Sequence, residues 1–293
     1  MNFKGIIPAL VTPLNDDETI NIPVLHSLIK FLCEKGADGF YIGGATGEGL
    51  ALRTEERMVL AQEAVNAVNG RMPSIVQVAA TDFNDAIILA KHAEKIGADA
   101  ISATPPLFFQ YDENDVYNYY KALADTVQIP VMIYYSPAAG FKINAKFAAR
   151  MFEIDNITAI KWTSSDYYEM MRLKDLTHGE MNIINGPDEM LLMGLNAGAD
   201  GGIGTTYNFM FDIIKAVYDN FTKGNLEKAQ YYQMCAARII DELKKYHTIP
   251  ATKVILEKMG FAVGNAAFPM TRYSDEERNS ICNGMKKAGL EIS

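Results

Sequence analysis

Lys161 is the residue of this sequence best placed to form a covalent bond with a substrate. It follows the largely apolar run Ile157–Ile160, so it ends a segment with the character of a buried strand. A lysine there is partly removed from water, which favours the neutral amine that can attack a carbonyl carbon. The competing interpretation is a lysine that extends its charged head to solvent. Both interpretations stay open on this residue alone.

Tyr134 lies near the end of another strand candidate, Val131–Tyr135. If the two strands end level in one barrel, its phenol faces the same side as Lys161. It could then move a proton between the substrate and a lysine adduct. Because the chain has 15 tyrosines, a tyrosine packed in the core is the competing interpretation.

A glycine-rich segment, GGATGEG at Gly43–Gly49, resembles a phosphate-binding loop only superficially. No Gly-Lys-Ser/Thr follows it, and its glycine spacing does not match the dinucleotide pattern. Free backbone N–H groups together with the Thr46 hydroxyl are better suited to holding a carboxylate. A flexible loop is the alternative.

Asp188 and Glu189 follow Pro187, where a helix should begin. Acidic residues are common in a first turn because they complement the helix dipole. Binding of substrate hydroxyls is the second interpretation of this pair.

Three Gly-Ala-Asp segments indicate how these residues are positioned. Each one follows an amphipathic stretch and precedes an apolar run, at Gly36–Asp38, Gly97–Asp99 and Gly198–Asp200. Glycine suits the left-handed position that ends a helix. A helix that turns directly into a strand indicates alternating β and α elements, and therefore a parallel sheet.

Eight short apolar runs bounded by turn residues are the strand candidates. They are Gly5–Val11, Gly39–Gly43, Ser74–Val78, Ala100–Thr104, Val131–Tyr135, Thr158–Trp162, Asn182–Asn185 and Gly201–Gly204. Helical periodicity lies between them, and four residues suit helix N-caps: Asn21, Thr54, Asn144 and Asp166. The pattern predicts an α/β fold, a closed (β/α)8 (TIM) barrel over residues 1–210, with its eighth helix extending to about residue 223. An open doubly wound sheet is the alternative.

The remaining residues, 224–293, read as helices only. The helical segments are Leu226–Tyr246, Ala251–Met259 and Asp275–Leu290. We expect this C-terminal extension to cover one face of the barrel or to form an oligomer interface. Active sites of such barrels lie at the carboxyl ends of the strands, which is where all the candidate residues above fall.

Composition narrows the class of protein. Hydrophobic residues make up 49% and charged residues 22% of the chain, as in a globular protein with a large core. The net charge of −9 argues against binding to nucleic acid or to an anionic membrane surface. It leaves a small anionic substrate possible, because a few local donors can outweigh the overall field.

Cysteine and histidine usage excludes other classes. Neither the three cysteines nor the four histidines have metal-ligand spacing. No run approaches the roughly 18 apolar residues of a membrane span, and we interpret the apolar segment 5–14 as a first strand and not as a signal peptide. We therefore expect a cytoplasmic protein that holds no metal.

Taken together, these motifs resemble the N-acetylneuraminate lyase group of the dihydrodipicolinate synthase superfamily of pyruvate-dependent aldolases. The resemblance covers nearly the whole chain. Its anchors are GGATGEG, Tyr134-x-x-Pro137, Lys161 in IKWT, and the two more specific segments NGPDE (185–189) and GADGGIGTTYN (198–208).

The resemblance implies a role for each matching residue. Lys161 would form an imine with the keto carbon, Tyr134 would relay the proton, and Ala45 with Thr46 would hold the substrate carboxylate. The residues implied to contact the sugar chain are Thr163, Gly186, Asp188, Glu189 and Thr205. The resemblance also implies a homotetramer and chemistry without a metal or organic cofactor.

Three departures from the family pattern are noted. Ala45 stands where a hydroxyl residue is usual, Thr205 where serine is frequent, and Phe108-Phe109 where many relatives lend a tyrosine to the neighbouring subunit. Dihydrodipicolinate synthase activity is disfavoured because no arginine follows Tyr134. An aldolase for 2-keto-3-deoxy sugar acids and a sugar-acid-binding barrel without catalysis stay as alternatives.

Overall fold

The computed structural model describes residues 2–292, which form eight strands and eleven α-helices. The strands are β1 (Gly5–Pro8), β2 (Phe40–Ile42), β3 (Ser74–Gln77), β4 (Ala100–Ala103), β5 (Val131–Tyr135), β6 (Ile157–Trp162), β7 (Asn182–Asn185) and β8 (Gly201–Gly204). The helices are α1 (Ile22–Glu34), α2 (Thr54–Val68), α3 (Phe83–Lys95), α4 (Glu113–Ala124), α5 (Ala145–Phe152), α6 (Tyr167–Leu176), α7 (Leu191–Asn196), α8 (Phe211–Thr222), α9 (Leu226–Leu243), α10 (Thr248–Lys258) and α11 (Asp275–Ala288).

The eight strands form one parallel sheet that closes on itself. Its order is β1-β8-β7-β6-β5-β4-β3-β2, and a parallel bridge between Ala9 and Tyr41 joins the two ends. The Leu10 N–H donates to the Tyr41 carbonyl at 2.8 Å across the same seam. The predicted (β/α)8 barrel is confirmed, and the open doubly wound sheet was the wrong alternative.

The first strand is shorter than the sequence predicts. The regular strand ends at Pro8, and bonding to the neighbouring strands ends at Leu10, because the Val11 N–H donates to the side chain of Asn208. The Asn208 amide group in turn donates to the Ala9 carbonyl at 2.6 Å. A side chain from the loop after β8 therefore takes over backbone bonding at this edge of the barrel.

The three Gly-Ala-Asp segments share one local structure. Their glycines have φ angles of 88°, 83° and 99°, the left-handed region that glycine adopts without strain. Each aspartate carboxylate then accepts a hydrogen bond from a backbone N–H of a nearby strand, those of Ile6, Ser74 and Ile183. The motif therefore ends a helix and fastens the turn to the sheet.

Three of the four predicted N-caps are confirmed. The side chains of Asn21, Asn144 and Asp166 each accept a hydrogen bond from a first-turn backbone N–H. The prediction for Thr54 is wrong. Arg53 occupies that position without a side-chain bond, and Thr54 is already the first helical residue.

The C-terminal helices α9, α10 and α11 fall within a few residues of the three predicted segments. Helix α9 runs back along α8 and also contacts the loop after β7. The division of the chain between residues 210 and 224 stays a prediction. Within residues 2–292, no helix is long and apolar enough to span a membrane.

Candidate active site

Lys161 and Tyr134 are neighbours at the carboxyl end of the barrel. Their Cα atoms are direct partners in the register of β5 and β6, so both side chains point to the same face of the sheet. The Lys161 Nζ atom lies 4.1 Å from the centre of the Tyr134 ring. Only 6% of Lys161 and 8% of Tyr134 is exposed to solvent, so the lysine does not extend to water as one interpretation allowed.

A second tyrosine, Tyr41 of β2, completes the surroundings of the lysine. Its ring centre lies 4.9 Å from the Lys161 Nζ atom and 6.0 Å from the Tyr134 ring, nearly edge-on at 82°. Its hydroxyl donates to Ser102 Oγ at 3.0 Å, and burial raises its pKa well above the ordinary value. Sequence reasoning missed Tyr41 because nothing local separates it from other core aromatics. The available signal was the position of Tyr41 between Phe40 and Ile42 in a strand, because its side chain must point to the opposite face of the sheet from theirs.

The glycine-rich segment forms a tight, packed loop after β2. A Cβ atom at Gly49 would lie 1.9 Å from the Gly43 carbonyl oxygen, so only glycine fits there. The Thr46 Oγ1 atom lies 2.6 Å from Thr205 Oγ1, which joins this loop to the loop after β8. The arrangement brings two hydroxyls and the turn of Ala45 to the barrel mouth.

Asp188 lies at the start of a short 3₁₀ turn, Asp188–Met190, after β7. Its Oδ2 atom accepts hydrogen bonds from the Thr206 N–H at 2.8 Å and the Thr206 hydroxyl at 2.7 Å. Burial raises the pKa of Asp188 to about 6, although the two bonds from Thr206 act in the opposite direction. A Cβ atom at Gly204 would lie 2.1 Å from Asp188 Oδ1, so glycine is required beneath the carboxylate.

All five residues implied to contact a sugar line one cleft of about 510 Å³. They are Thr163, Gly186, Asp188, Glu189 and Thr205. Among the described residues the buried Thr163 hydroxyl is one of the side-chain groups without a hydrogen-bond partner. Gly186 leaves room for it, since a Cβ atom there would lie 2.0 Å from Thr163 Oγ1.

The cleft and the lysine are distinct parts of one site. Lys161, Tyr134, Ala45 and Thr46 do not line the cleft, but Thr163 follows Lys161 by two residues and Thr205 contacts Thr46. The far wall of the cleft comes from the C-terminal extension, through Ile240, Leu243, Lys244 and Thr248.

Two ion pairs that sequence reasoning missed join the extension to the barrel loops. Lys244 Nζ lies 2.7 Å from Glu189 Oε1 at the cleft. Lys253 Nζ lies 2.6 Å from Glu48 Oε1, with side chains only 2% and 0% exposed. No local sequence signal marks these pairs, because their members are 55 residues apart in the first pair and on different elements in both.

Glu48 is held by more than its ion pair. Its Oε2 atom accepts a hydrogen bond from the Ala267 N–H at 2.6 Å, and its backbone adopts a left-handed φ of 58°. Such a conformation is uncommon outside glycine and persists when the surroundings enforce it.

In the described part of the chain, no three His, Cys, Asp or Glu side chains are grouped so as to hold a metal ion.

A lysine inside a parallel barrel, beside a phenol and a sugar-sized cleft that contains acidic and hydroxyl side chains, defines a lysine-dependent barrel enzyme of the aldolase type. Residues 2–288 match the model of the dihydrodipicolinate synthetase family, and the chain belongs to that family. It is 34% identical over 94% of its length to an N-acetylneuraminate lyase of Rhizobium meliloti, of which the match covers 92%.

Solved structures show the same relationship. The fold matches an N-acetylneuraminate lyase of Proteus mirabilis with a TM-score of 0.95 and 29% identity, covering 99% of this chain and 100% of that one. It also matches a dihydrodipicolinate synthase of Bacillus anthracis with a TM-score of 0.93 and 27% identity, covering 98% of each chain. Because both activities occur on this fold, the choice of substrate must come from side chains.

Proposed function

We propose that this protein is a class I aldolase that reversibly cleaves N-acetylneuraminate to pyruvate and N-acetylmannosamine. The observation that carries the proposal is the buried Lys161, whose Nζ atom lies 4.1 Å from the Tyr134 ring centre at the catalytic end of the barrel. The similar proteins named N-acetylneuraminate lyase support the choice of substrate.

The chemistry starts with attack of the neutral Lys161 amine on the keto carbon C2 of the open-chain substrate. Water leaves, and the protonated imine becomes an electron sink. Tyr134 removes the proton of the C4 hydroxyl, the C3–C4 bond breaks, and C4 becomes the aldehyde of N-acetylmannosamine. The electron pair of the broken bond forms an enamine, C3 takes up a proton, and water hydrolyses the imine to release pyruvate. These steps balance without a metal or an organic cofactor.

The remaining site residues would bind and orient the substrate. Ala45 and Thr46 would hold its carboxylate through backbone N–H groups and a hydroxyl. The residues of the cleft would contact the hydroxylated chain, and they are Thr163, Gly186, Asp188, Glu189 and Thr205. The unpartnered Thr163 hydroxyl and the Glu189 carboxylate supply donor and acceptor groups for this purpose.

Borohydride reduction in the presence of pyruvate tests the proposed function. We expect a covalent adduct on a Lys161-containing peptide, and we expect Lys161→Ala to lack it while retaining its circular dichroism spectrum. A folded wild-type protein without the adduct would favour the non-catalytic sugar-acid-binding barrel.

A second candidate, cleavage of a 2-keto-3-deoxy sugar acid, has one observation in its favour. Asp188 Oδ2 is already occupied by two bonds from Thr206, which reduces the number of free acceptors for a long polyol. Pyruvate release measured side by side from N-acetylneuraminate and 2-keto-3-deoxygluconate distinguishes the two activities.

We also propose a cytoplasmic homotetramer. The support is the family resemblance and the large exposed side chains Phe108 and Phe109, 91% and 68% exposed, where relatives contact a neighbouring subunit. Light scattering after size exclusion should give the mass of four 32.4-kDa chains.

A further inference from the structure

We propose that Lys244, a residue of the C-terminal extension, is a specificity-determining residue that binds the distal hydroxyls of a long sugar-acid chain. This inference rests on the proposed function and deepens it. Lys244 lines the same cleft as Glu189 and pairs with it at 2.7 Å. It comes from the C-terminal extension, whereas Glu189 comes from the loop after β7.

Helix α9, which precedes Lys244, is hydrogen-bonded to the 3₁₀ turn after β7. Gln233 of α9 is almost fully buried. Its Oε1 atom accepts from the Leu192 N–H at 2.8 Å, and its Nε2 atom donates to the Asp188 carbonyl at 3.2 Å. These two bonds join α9 to Asp188 of the turn and to Leu192 at the start of α7, and Lys244 follows directly after α9.

The chemistry of the pair suits hydroxyl groups. An ammonium group has three N–H donors, and the Glu189 carboxylate takes one of them. A sugar hydroxyl beside the pair could donate to Glu189 and accept one of the remaining N–H groups of Lys244. Charge-assisted hydrogen bonds of this kind are stronger than neutral ones, so the pair can discriminate a chain that reaches it from one that does not.

Exposure makes the proposal accessible to experiment. The side chains of Lys244 and Glu189 are 55% and 36% exposed, and ion pairs of this exposure contribute little to the stability of a fold. Replacement of Lys244 should therefore leave the protein folded.

The neighbouring residue is a matched control. Lys245 is 64% exposed and pairs with Glu242 within one turn of chain, but it does not line the cleft. Lys245→Met therefore removes the same charge and the same kind of ion pair one residue away from the proposed contact.

The experiment compares Lys244→Met, Lys245→Met and wild type on N-acetylneuraminate, on 2-keto-3-deoxygluconate, and in exchange of pyruvate methyl protons with solvent. We expect Lys244→Met to reduce kcat/KM for N-acetylneuraminate roughly tenfold, mainly through KM, as for loss of one hydrogen bond to a charged group. The shorter substrate and proton exchange should change less than twofold, and Lys245→Met should resemble wild type.

A second comparison separates direct binding from an effect through Glu189. The loss caused by Lys244→Met should persist in the Glu189→Gln background. Disappearance of the loss there, equal losses on all substrates, or an equal effect of Lys245→Met would each overturn the proposal. If wild type fails to cleave N-acetylneuraminate, the proposed function fails with it. If wild type cleaves it and Lys244→Met is unchanged, only the role of Lys244 fails.

Discussion

At the scale of single residues, the site depends on what surrounds one amine. Lys161 lies within 5 Å of two aromatic ring centres, those of Tyr41 and Tyr134. A protonated amine is attracted to such ring faces. The two tyrosine rings therefore hold the amine in one place, and in the proposed mechanism only Tyr134 exchanges a proton with the substrate.

Tyr134→Phe tests the division of labour at this scale. Loss of a general acid–base group typically costs about 10²–10⁴-fold in rate, so we expect kcat for cleavage to fall in that range while pyruvate adduct formation remains measurable. Tyr135→Phe is the matched control, because Tyr135 is the next residue of the same strand. Its ring packs edge-on against Trp162, with 4.8 Å between the two ring centres. Equal losses in the two variants would contradict a proton-relay role.

The pKa of Asp188 predicts a pH dependence of stability. Burial raises it to about 6 from the ordinary value of 3.8, so between these values the folded protein binds more protons than the unfolded chain. The contribution of Asp188 is therefore fully present below pH 4 and is lost as pH rises through 6. The Asp188→Asn variant cannot lose this contribution. Its free energy of unfolding minus that of wild type should therefore be roughly 2–3 kcal/mol larger at pH 7 than at pH 4. Urea titrations of both proteins at pH 4 and pH 7 measure these free energies. A variant-minus-wild-type difference that is the same at both pH values would contradict a raised pKa for Asp188.

At the scale of elements, one buried ion pair connects α10 to the loop after β2. Lys253 and Glu48 are almost completely removed from solvent, and burial lowers the pKa of Lys253 while the carboxylate opposes that change. Breaking such a pair leaves an uncompensated buried charge, which is far more costly than losing a surface pair.

We expect Lys253→Met to lower the free energy of unfolding by about 3–5 kcal/mol, and Glu48→Gln/Lys253→Met to recover part of that loss. Lys121→Met is the control, because its pair with Asp125 is exposed and contributes under about 1 kcal/mol. Chemical denaturation measures all three. A double variant no more stable than Lys253→Met would show that the charge is not the cause.

At the scale of the whole molecule, the C-terminal extension belongs to the site. It supplies a cleft wall, the Lys244–Glu189 pair and the Lys253–Glu48 pair. Barrel and extension are therefore expected to unfold together.

Trp162, the one tryptophan of the chain, is buried in the barrel and reports on it alone. Its fluorescence and the far-ultraviolet circular dichroism should follow the same urea transition, the test of a single cooperative unit. A dichroism change that precedes the fluorescence change would indicate that the extension unfolds first.

The sequence alone determined the class of fold and singled out the residues that we propose to be reactive. Local signals carry that information: apolar runs of strand length, left-handed glycines at helix ends, and the position of Lys161 at the end of a buried run. Those signals misplaced only details, such as the cap at Arg53 and the end of β1, where side chains such as Asn208 replace regular backbone bonding.

Only the tertiary structure decided which residues meet. Tyr41 beside Lys161, Thr46 beside Thr205, Lys244 beside Glu189 and Lys253 beside Glu48 are all contacts between distant parts of the chain. No local pattern encodes them, because burial and closure of the barrel select each partner. Local sequence therefore indicated the lysine as the candidate nucleophile, and packing decided which side chains form the walls of the neighbouring cleft.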